Sequence, residues 1–347
     1  VQYEATVPTV RDRVVQRAIV NVIEPILDHQ FHERSFGFRH ERGAHDALRI
    51  VEQKLQEGYV YVVDADLKSF PFRPNMCCVE ARSDLFRAVA RTTRPRRFDT
   101  IPNDRLLTLV KEQIADSRML KLIKLFLDQN ILEELREWTP IAGVQQGAVL
   151  SPVLSNLYLN PLDHEMADNG FEMVRYADDF VVLCRSEFEA EVALQMITEW
   201  VESAGLTLHP TKTKIVDSRV ESFAFLGYSF RGDKIYPRRE SLAKMKARIT
   251  ELTPRKRPGS IQLIASELTS VLRGWFGYFR HCRWTIFKAL DAKIRSRLRR
   301  LLLQRHRQNP KRLPRTHRWP NDFFAKAGLY SLREAHFRFD QSVAGNY

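Results

Sequence analysis

The sequence predicts an α/β unit built around a small sheet, followed by a basic helical unit. Three observations carry that expectation. Two apolar runs rich in β-branched and aromatic residues, 58–67 and 173–183, each hold a cluster of acids and read as strands. The stretches around them repeat apolar residues at helical spacing. Charge is also unevenly placed: residues 244–318 hold 21 Lys and Arg against three acids, a surplus of 18, whereas the whole chain of 347 residues carries +13, which leaves the remainder at −5.

After Thr9, Val10, Val14, Val15, Ala18, Ile19, Val22, Ile23 and Ile26 predict an amphipathic helix, with Arg11, Arg13 and Arg17 off its buried stripe and Pro25 ending or kinking it. Residues 35–42 read as a basic loop, and a helix runs from Ala44 to about Gln56. In the strand that follows, side chains alternate, so Asp64 and Asp66 share one face and Ala65 and Leu67 the other. Residues 71–97 begin with Pro71 and Pro74, hold seven Arg against two acids, and have a helix-compatible middle at 79–90. Helical spacing returns at Leu106, Leu107, Val110 and Ile114, then at Met119, Leu120, Ile123 and Leu127. Residues 149–162 read as a buried helix carrying Ser151, Ser155 and Asn156, and 173–183 as two short strands joined by a tight turn. Ser186 and Glu189 form a capping box that opens a helix to about Ala204, with Gly205 as its stop. Residues 254–259, Pro-Arg-Lys-Arg-Pro-Gly, read as a linker. From Ser260 a helix carries Ile264, Leu268, Leu272, Phe276 and Phe279 on its stripe, with Arg273 and Arg280 mostly outside it, and a second basic helix spans about 287–306.

No apolar run approaches the roughly 20 residues that span a membrane, and no signal-peptide pattern opens the sequence. The reading is a soluble, intracellular protein of the bacterial cytoplasm. Cys77, Cys78, Cys184 and Cys282 lack paired ligand spacing, so they read as buried or incidental thiols. His29 and His32 read as surface or packing residues. Asp178 and Asp179 have two readings: ordinary turn residues, or adjacent carboxylates that repel each other and hold a compensating hard cation such as Mg²⁺. With an acid from the strand at 58–67 they could build a two-metal phosphoryl-transfer site. The basic unit suits a polyanion.

Several blocks in order carry a resemblance. They are Pro8-Thr9-Val10-Arg11-Asp12-Arg13-Val14-Val15-Gln16, Ser35-Phe36-Gly37-Phe38-Arg39, Ala44-His45-Asp46-Ala47-Leu48, Asp64-Ala65-Asp66-Leu67-Lys68-Ser69-Phe70, Gln146-Gly147-Ala148-Val149-Leu150-Ser151-Pro152, Tyr176-Ala177-Asp178-Asp179, Leu206-Thr207-Leu208 with Lys212-Thr213-Lys214, and Phe225-Leu226-Gly227-Tyr228. On these the chain resembles the reverse transcriptases of the group II intron maturase kind. The resemblance implies an α/β fold, the palm and fingers of a right-hand polymerase, followed by a helical thumb, the maturase domain X. It divides the chain into partial fingers at 1–57, a palm at 58–232 with a basic insertion at 71–97, a linker at 233–259 and the thumb at 260–347. The family has a further fingers segment before the first block, so the chain is expected to be truncated or excerpted.

The implied chemistry is RNA-directed DNA synthesis with two Mg²⁺ ions, Mn²⁺ being a substitute. Asp66 and Asp178 would bridge the ions and Asp179 would support them; Asp64, which strand alternation puts on the face of Asp66, could stand behind the ligands. The resemblance puts Arg39 and Arg42 near the incoming triphosphate, Gln146 against the nucleotide and Lys212 near the leaving pyrophosphate. The nucleotide-side aromatics are Phe70 and Phe98. Excising 71–97 restores the family pattern as Asp66-Leu67-Lys68-Ser69-Phe70-Phe98-Asp99-Thr100-Ile101, so the sugar-gate place falls to Phe98 if the insertion loops out and to Pro71 by plain counting. Whether the insertion is a tolerated excursion or a lesion stays open. Where the family has Pro and Ser the chain has His40 and Gly43, and Gln145 stands for another Pro. Arg273, Arg280, Lys293, Arg295, Arg299 and Arg300 are the expected RNA-binding residues. The implied partners are an RNA template, a DNA primer, deoxynucleoside triphosphates and a group II intron RNA, with no membrane. Two rival readings stand beside this one: an RNA-binding maturase active only in folding and splicing, and a non-polymerase phosphoryl transferase on a similar palm.

Overall fold

The computed structural model describes residues 9–67, 101–127, 131–133, 136–138, 149–305 and 318–344. The chain divides into two compact units, 1–226 and 227–347. The first is mixed α/β and the second mainly helical, in line with the expected class.

In the first unit β1 (Tyr61–Asp66), β4 (Glu172–Tyr176), β5 (Asp179–Cys184) and β6 (Lys214–Asp217) form an antiparallel sheet in the order β4-β5-β1-β6. A hairpin of β2 (Ile131–Glu133) and β3 (Arg136–Trp138) is separate from it, and β7 (Phe223–Phe225) ends the unit. The helices are α1 (Val10–Asp28), α2 (Ala44–Gln56), α3 (Asn103–Gln113), α4 (Ser117–Leu127), α5 (Ser151–Asp168) and α6 (Glu187–Ser203). Period-2 alternation sends Val63, Ala65, Leu67, Phe180, Val182 and Cys184 to one face of the sheet, where they join a core with Ile23 of α1, Leu154 and Tyr158 of α5, and Ile197 and Val201 of α6. Asp64 and Asp66, both half-buried, alternate with buried Ala65 and Leu67 as expected.

The capping of α6 agrees with the sequence: Ser186 Oγ accepts from Glu189 N–H at 3.1 Å, and Gly205 stops the chain at φ +69. The buried face of α1 differs from the expected stripe. It consists of Gln16, Ile19, Val20, Ile23 and Leu27, whereas Val10, Val14, Val15, Val22 and Ile26 are exposed. Apolar residues occupy so much of this helix's circumference that periodicity alone does not choose the arc. Gln16 is admitted because its side chain accepts the Val149 N–H at 2.8 Å. Pro25 does not end the helix, which continues to Asp28; it lies on the exposed side.

The second unit opens with the hairpin of β8 (Tyr228–Arg231) and β9 (Lys234–Pro237), which turns at Gly232 with φ +55. It continues with α7 (Arg239–Leu252), α8 (Ile261–Phe279), α9 (Trp284–Arg305), α10 (Asn321–Lys326) and α11 (Leu332–Ala344). The stretch 233–259, expected as a linker, therefore carries β9 and α7. Its helix buries Met245, Ile249 and Leu252, an apolar stripe that a linker reading overlooks. Buried Asp291 of α9 caps α11 from outside, accepting from the N–H of Leu332 at 3.1 Å and of Arg333 at 3.2 Å. No described helix is long and apolar enough to cross a membrane.

Candidate active site

The acids meet at one end of the sheet. Tyr176 pairs with Asp179 across β4 and β5, so Ala177 and Asp178 form a two-residue turn. Ala177 takes φ +60, a left-handed conformation that costs a residue with a Cβ about 1–3 kcal/mol unless its surroundings impose it. On the other side of β5, Asp66 at the end of β1 stands in register with Asp179. Cross-strand partners share a face of the sheet, so carboxylates from two strands meet there beside the turn that carries Asp178. Asp178 is buried, at 5% exposure.

A second segment comes to this end of the sheet. The His209 N–H donates to the Asp66 carbonyl at 2.7 Å, and the chain turns back on His209, whose carbonyl accepts from Lys212 N at 3.2 Å. That turn brings Lys212 Nζ to 2.6 Å from Asp66 Oδ2. Asp179 Oδ2 accepts from Leu226 N–H at 3.4 Å.

Under the turn lies a buried polar cluster. Arg175 on β4 is fully buried and bonds the Asp163 carboxylate through both Nε, at 2.7 Å, and Nη2. Its Nη1 donates to Asn156 Oδ1 at 3.0 Å and to the Ala177 carbonyl at 2.9 Å. Asn156 Nδ2 donates to the Gly37 carbonyl at 2.7 Å, and a Cβ on Gly37 would stand 2.3 Å from Ala177 N. The backbone of Arg175 is held as well, accepting from Phe36 N–H at 2.9 Å and donating to the Arg34 carbonyl at 3.0 Å. Sequence reading singled out none of these contacts. The available signal was an arginine inside an otherwise apolar strand, since a buried guanidinium needs a carboxylate or several acceptors.

The remaining expected residues fall in several places. Phe70, Phe98, Gln146 and the insertion at 71–97 lie outside the described residues. Arg39 is buried, with all three nitrogens engaged: Nε on Asp28 Oδ1 at 2.6 Å, Nη1 on the carbonyls of His32 and Ser35, and Nη2 on the Asp28 carbonyl. It stitches the end of α1 to the following loop. Arg42 bonds the Glu33 carbonyl and lies 5.9 Å from the centre of the Phe36 ring.

In the second unit Arg273 and Arg300 are exposed, while Arg280, Lys293 and Arg295 are half-buried. Arg299, expected on the RNA-facing surface with Arg300, is instead buried at 8% exposure. Its Nε donates to the Trp319 carbonyl at 2.8 Å and its Nη2 to Asn321 Oδ1 at 2.9 Å. The helical wheel turns Arg299 inward beside buried Leu298 and Leu302, and burial lowers its pKa, with nearby Arg295 adding to the effect.

The donor chemistry at the sheet end, carboxylate oxygens from Asp66, Asp178 and Asp179, suits a hard divalent ion. As arranged, no group of three such side chains among the described residues converges on one point, and the Lys212 ammonium neutralises Asp66. The ion pair engages Asp66 Oδ2, so Lys212 competes with a divalent ion for that oxygen. Cys184 and Cys282 are buried thiols, and burial pushes that of Cys184 up to about 12.

Comparison with known proteins adds two family models in tandem. Residues 96–230 match the model for reverse transcriptase (RNA-dependent DNA polymerase), and residues 242–319 match the group II intron maturase-specific domain. The first match begins at the end of the insertion and includes Asp178 and Asp179, while Asp66 lies before it. Among curated relatives, an uncharacterised 91 kDa protein in a cob intron of Schizosaccharomyces pombe is 27% identical over 66% of this chain and 32% of its own length. Protein YkfC of Escherichia coli is 28% identical over 64% of this chain and 61% of its own length. The group II intron-encoded protein LtrA of Lactococcus lactis is 30% identical over 45% of this chain and 22% of its own length. The chain thus spans less than two thirds of each of these relatives.

Proposed function

Because a reverse transcriptase match is followed in one chain by a maturase-specific match, the chain belongs with the group II intron-encoded reverse transcriptases and maturases, and we propose that it synthesises DNA on an RNA template. A primer 3′-hydroxyl attacks the α-phosphate of a deoxynucleoside triphosphate, forming a phosphodiester bond as the bond to pyrophosphate breaks. The observation that carries this reading is the register of Asp66 with Asp179 beside the Asp178 turn, which joins an acid outside the matched segment to two inside it.

In this reading the first unit carries the palm and fingers elements, and the second is the thumb or maturase domain X. Divalent ions, Mg²⁺ or in its place Mn²⁺, bound by Asp66 and Asp178 with support from Asp179, would lower the pKa of the attacking hydroxyl and neutralise phosphate charge. Lys212, once free of Asp66, offers its ammonium to the departing pyrophosphate. Arg39 holds the loop that precedes Arg42, which would face the triphosphate, while the nucleotide roles of Gln146, Phe70 and Phe98 rest on the family resemblance alone. The basic helices hold template, primer and intron RNA through phosphate contacts.

Primer extension on an RNA template with Mg²⁺ tests the proposal. Extension that is lost in Asp66→Asn supports it; a folded parent chain that binds RNA and adds no nucleotide sinks it. One observation favours a second reading, a maturase that binds intron RNA without polymerising: the Lys212 ammonium on Asp66. Intron splicing stimulated equally by the parent and Asp66→Asn, with no extension by either, would select that reading.

A further inference from the structure

We propose that Arg175 is a positioning residue that sets the geometry of the Ala177-Asp178 turn, drawing its own orientation from Asp163 and Asn156 on α5. The consequence for turnover rests on the polymerase reading; the consequence for the turn does not.

A guanidinium is planar and its donors point in fixed directions. The two oxygens of Asp163 take Nε and Nη2, which fixes the plane of Arg175 relative to α5. Both hydrogens of Nη1 are then aimed, one at Asn156 Oδ1 and one at the Ala177 carbonyl. That carbonyl is the peptide immediately before Asp178. A helix in the core thereby holds the backbone at the acids through one rigid side chain.

Asn156 acts on the turn from its other side. Its amide bonds the Gly37 carbonyl, and Gly37 lies against Ala177 N so closely that no side chain fits. The left-handed φ of Ala177 is the conformation this double clamp imposes. The same contacts connect three blocks far apart in the chain, those around Gly37, Asn156 and Asp178.

A purely stabilising role explains the arrangement less well. Buried ion pairs are often replaced by apolar residues of similar volume without loss of stability, because desolvation offsets their attraction. Lysine in place of Arg175 would keep the charge but lose the two-point attachment and the aimed Nη1.

The test is the double variant Arg175→Met with Asp163→Leu, which removes the pair without leaving a lone buried charge. Asp163→Asn, which keeps shape and one acceptor oxygen, serves as the second variant should the double variant fold poorly. Thermal unfolding identifies the variants that keep the parent's fold, and hydrogen–deuterium exchange reads the amides of residues 177–180. We expect a folded variant to exchange those amides at least about tenfold faster while the protection of α5 is retained, since the turn loses its imposed geometry. In primer extension, kcat should fall by about a hundredfold while the KM for deoxynucleotide changes less than about threefold, as misplacement at a reacting centre predicts. Arg175→Lys should not restore kcat. A folded variant whose turn exchanges at the parent's rate overturns the proposal, as does one that keeps the parent's kcat in an active enzyme. If the parent extends no primer, the polymerase reading fails and the exchange rates alone decide the inference.

Discussion

The two units bury arginine in different ways. Arg175 in the α/β unit is neutralised by a buried carboxylate, whereas Arg299 in the helical unit bonds the Trp319 carbonyl and the Asn321 amide oxygen and lies 5.3 Å from the Phe324 ring centre. The first unit thus pairs its buried arginine with a buried carboxylate, beside the turn that carries Asp178. The second leaves an interior cation on neutral acceptors, in a unit already rich in positive charge. A buried charge paired directly with its opposite suits a site in which ions and phosphates must be positioned, and a positive surplus along the segment suits one in which a polyanion need only be held.

Exchanging one acid breaks this division most sharply. Asp178→Asn is expected to lower nucleotide addition by about a thousandfold while the Kd for RNA changes less than about twofold, because in the proposed reading the phosphate grip lies in the other unit. Extension rates and filter binding on the same preparation check both halves; equal loss of the two in a folded protein defeats the division. The buried arginines come next. Asp163→Ala leaves Arg175 charged and unpaired and should cost about 3–5 kcal/mol in urea unfolding. Arg299→Met removes a cation with neutral partners and should cost about 1–3 kcal/mol. Equal costs would erase the contrast between the interiors. The smallest effect concerns the surface: Arg273→Gln with Arg300→Gln should reduce the slope of log K against log salt by about 1–2, through two fewer phosphate contacts. An unchanged slope moves the RNA footprint to other residues.

Local features of the fold were legible in the sequence. Alternation in β1 shows which side chains share a face, and Ser186, Glu189 and Gly205 mark the two ends of α6. What the sequence did not reveal depends on partners distant in the chain. Arg299 and Arg300 are neighbours in a basic run, and the Trp319 carbonyl, Asn321 and the Phe324 ring draw one of them inside. Arg39 similarly reads as a free cation until Asp28 and the carbonyls around it are seen to engage it. The acids were legible as a cluster, but the register that sets Asp66 opposite Asp179 comes from strand pairing.

The close approach of Gly37 to Ala177 also bears on how the protein reaches its native state. The hairpin of β4 and β5 is local and can form within microseconds, whereas the contacts that shape its turn join residues more than a hundred positions apart, as Asn156 and Gly37 are. A hairpin excised from the chain would relax Ala177 toward an ordinary conformation and separate its acids from Asp66. Arrival of the 35–37 loop and α5 is therefore what turns a commonplace hairpin into this one, and the acids are expected to reach their native arrangement only once those long-range contacts have formed.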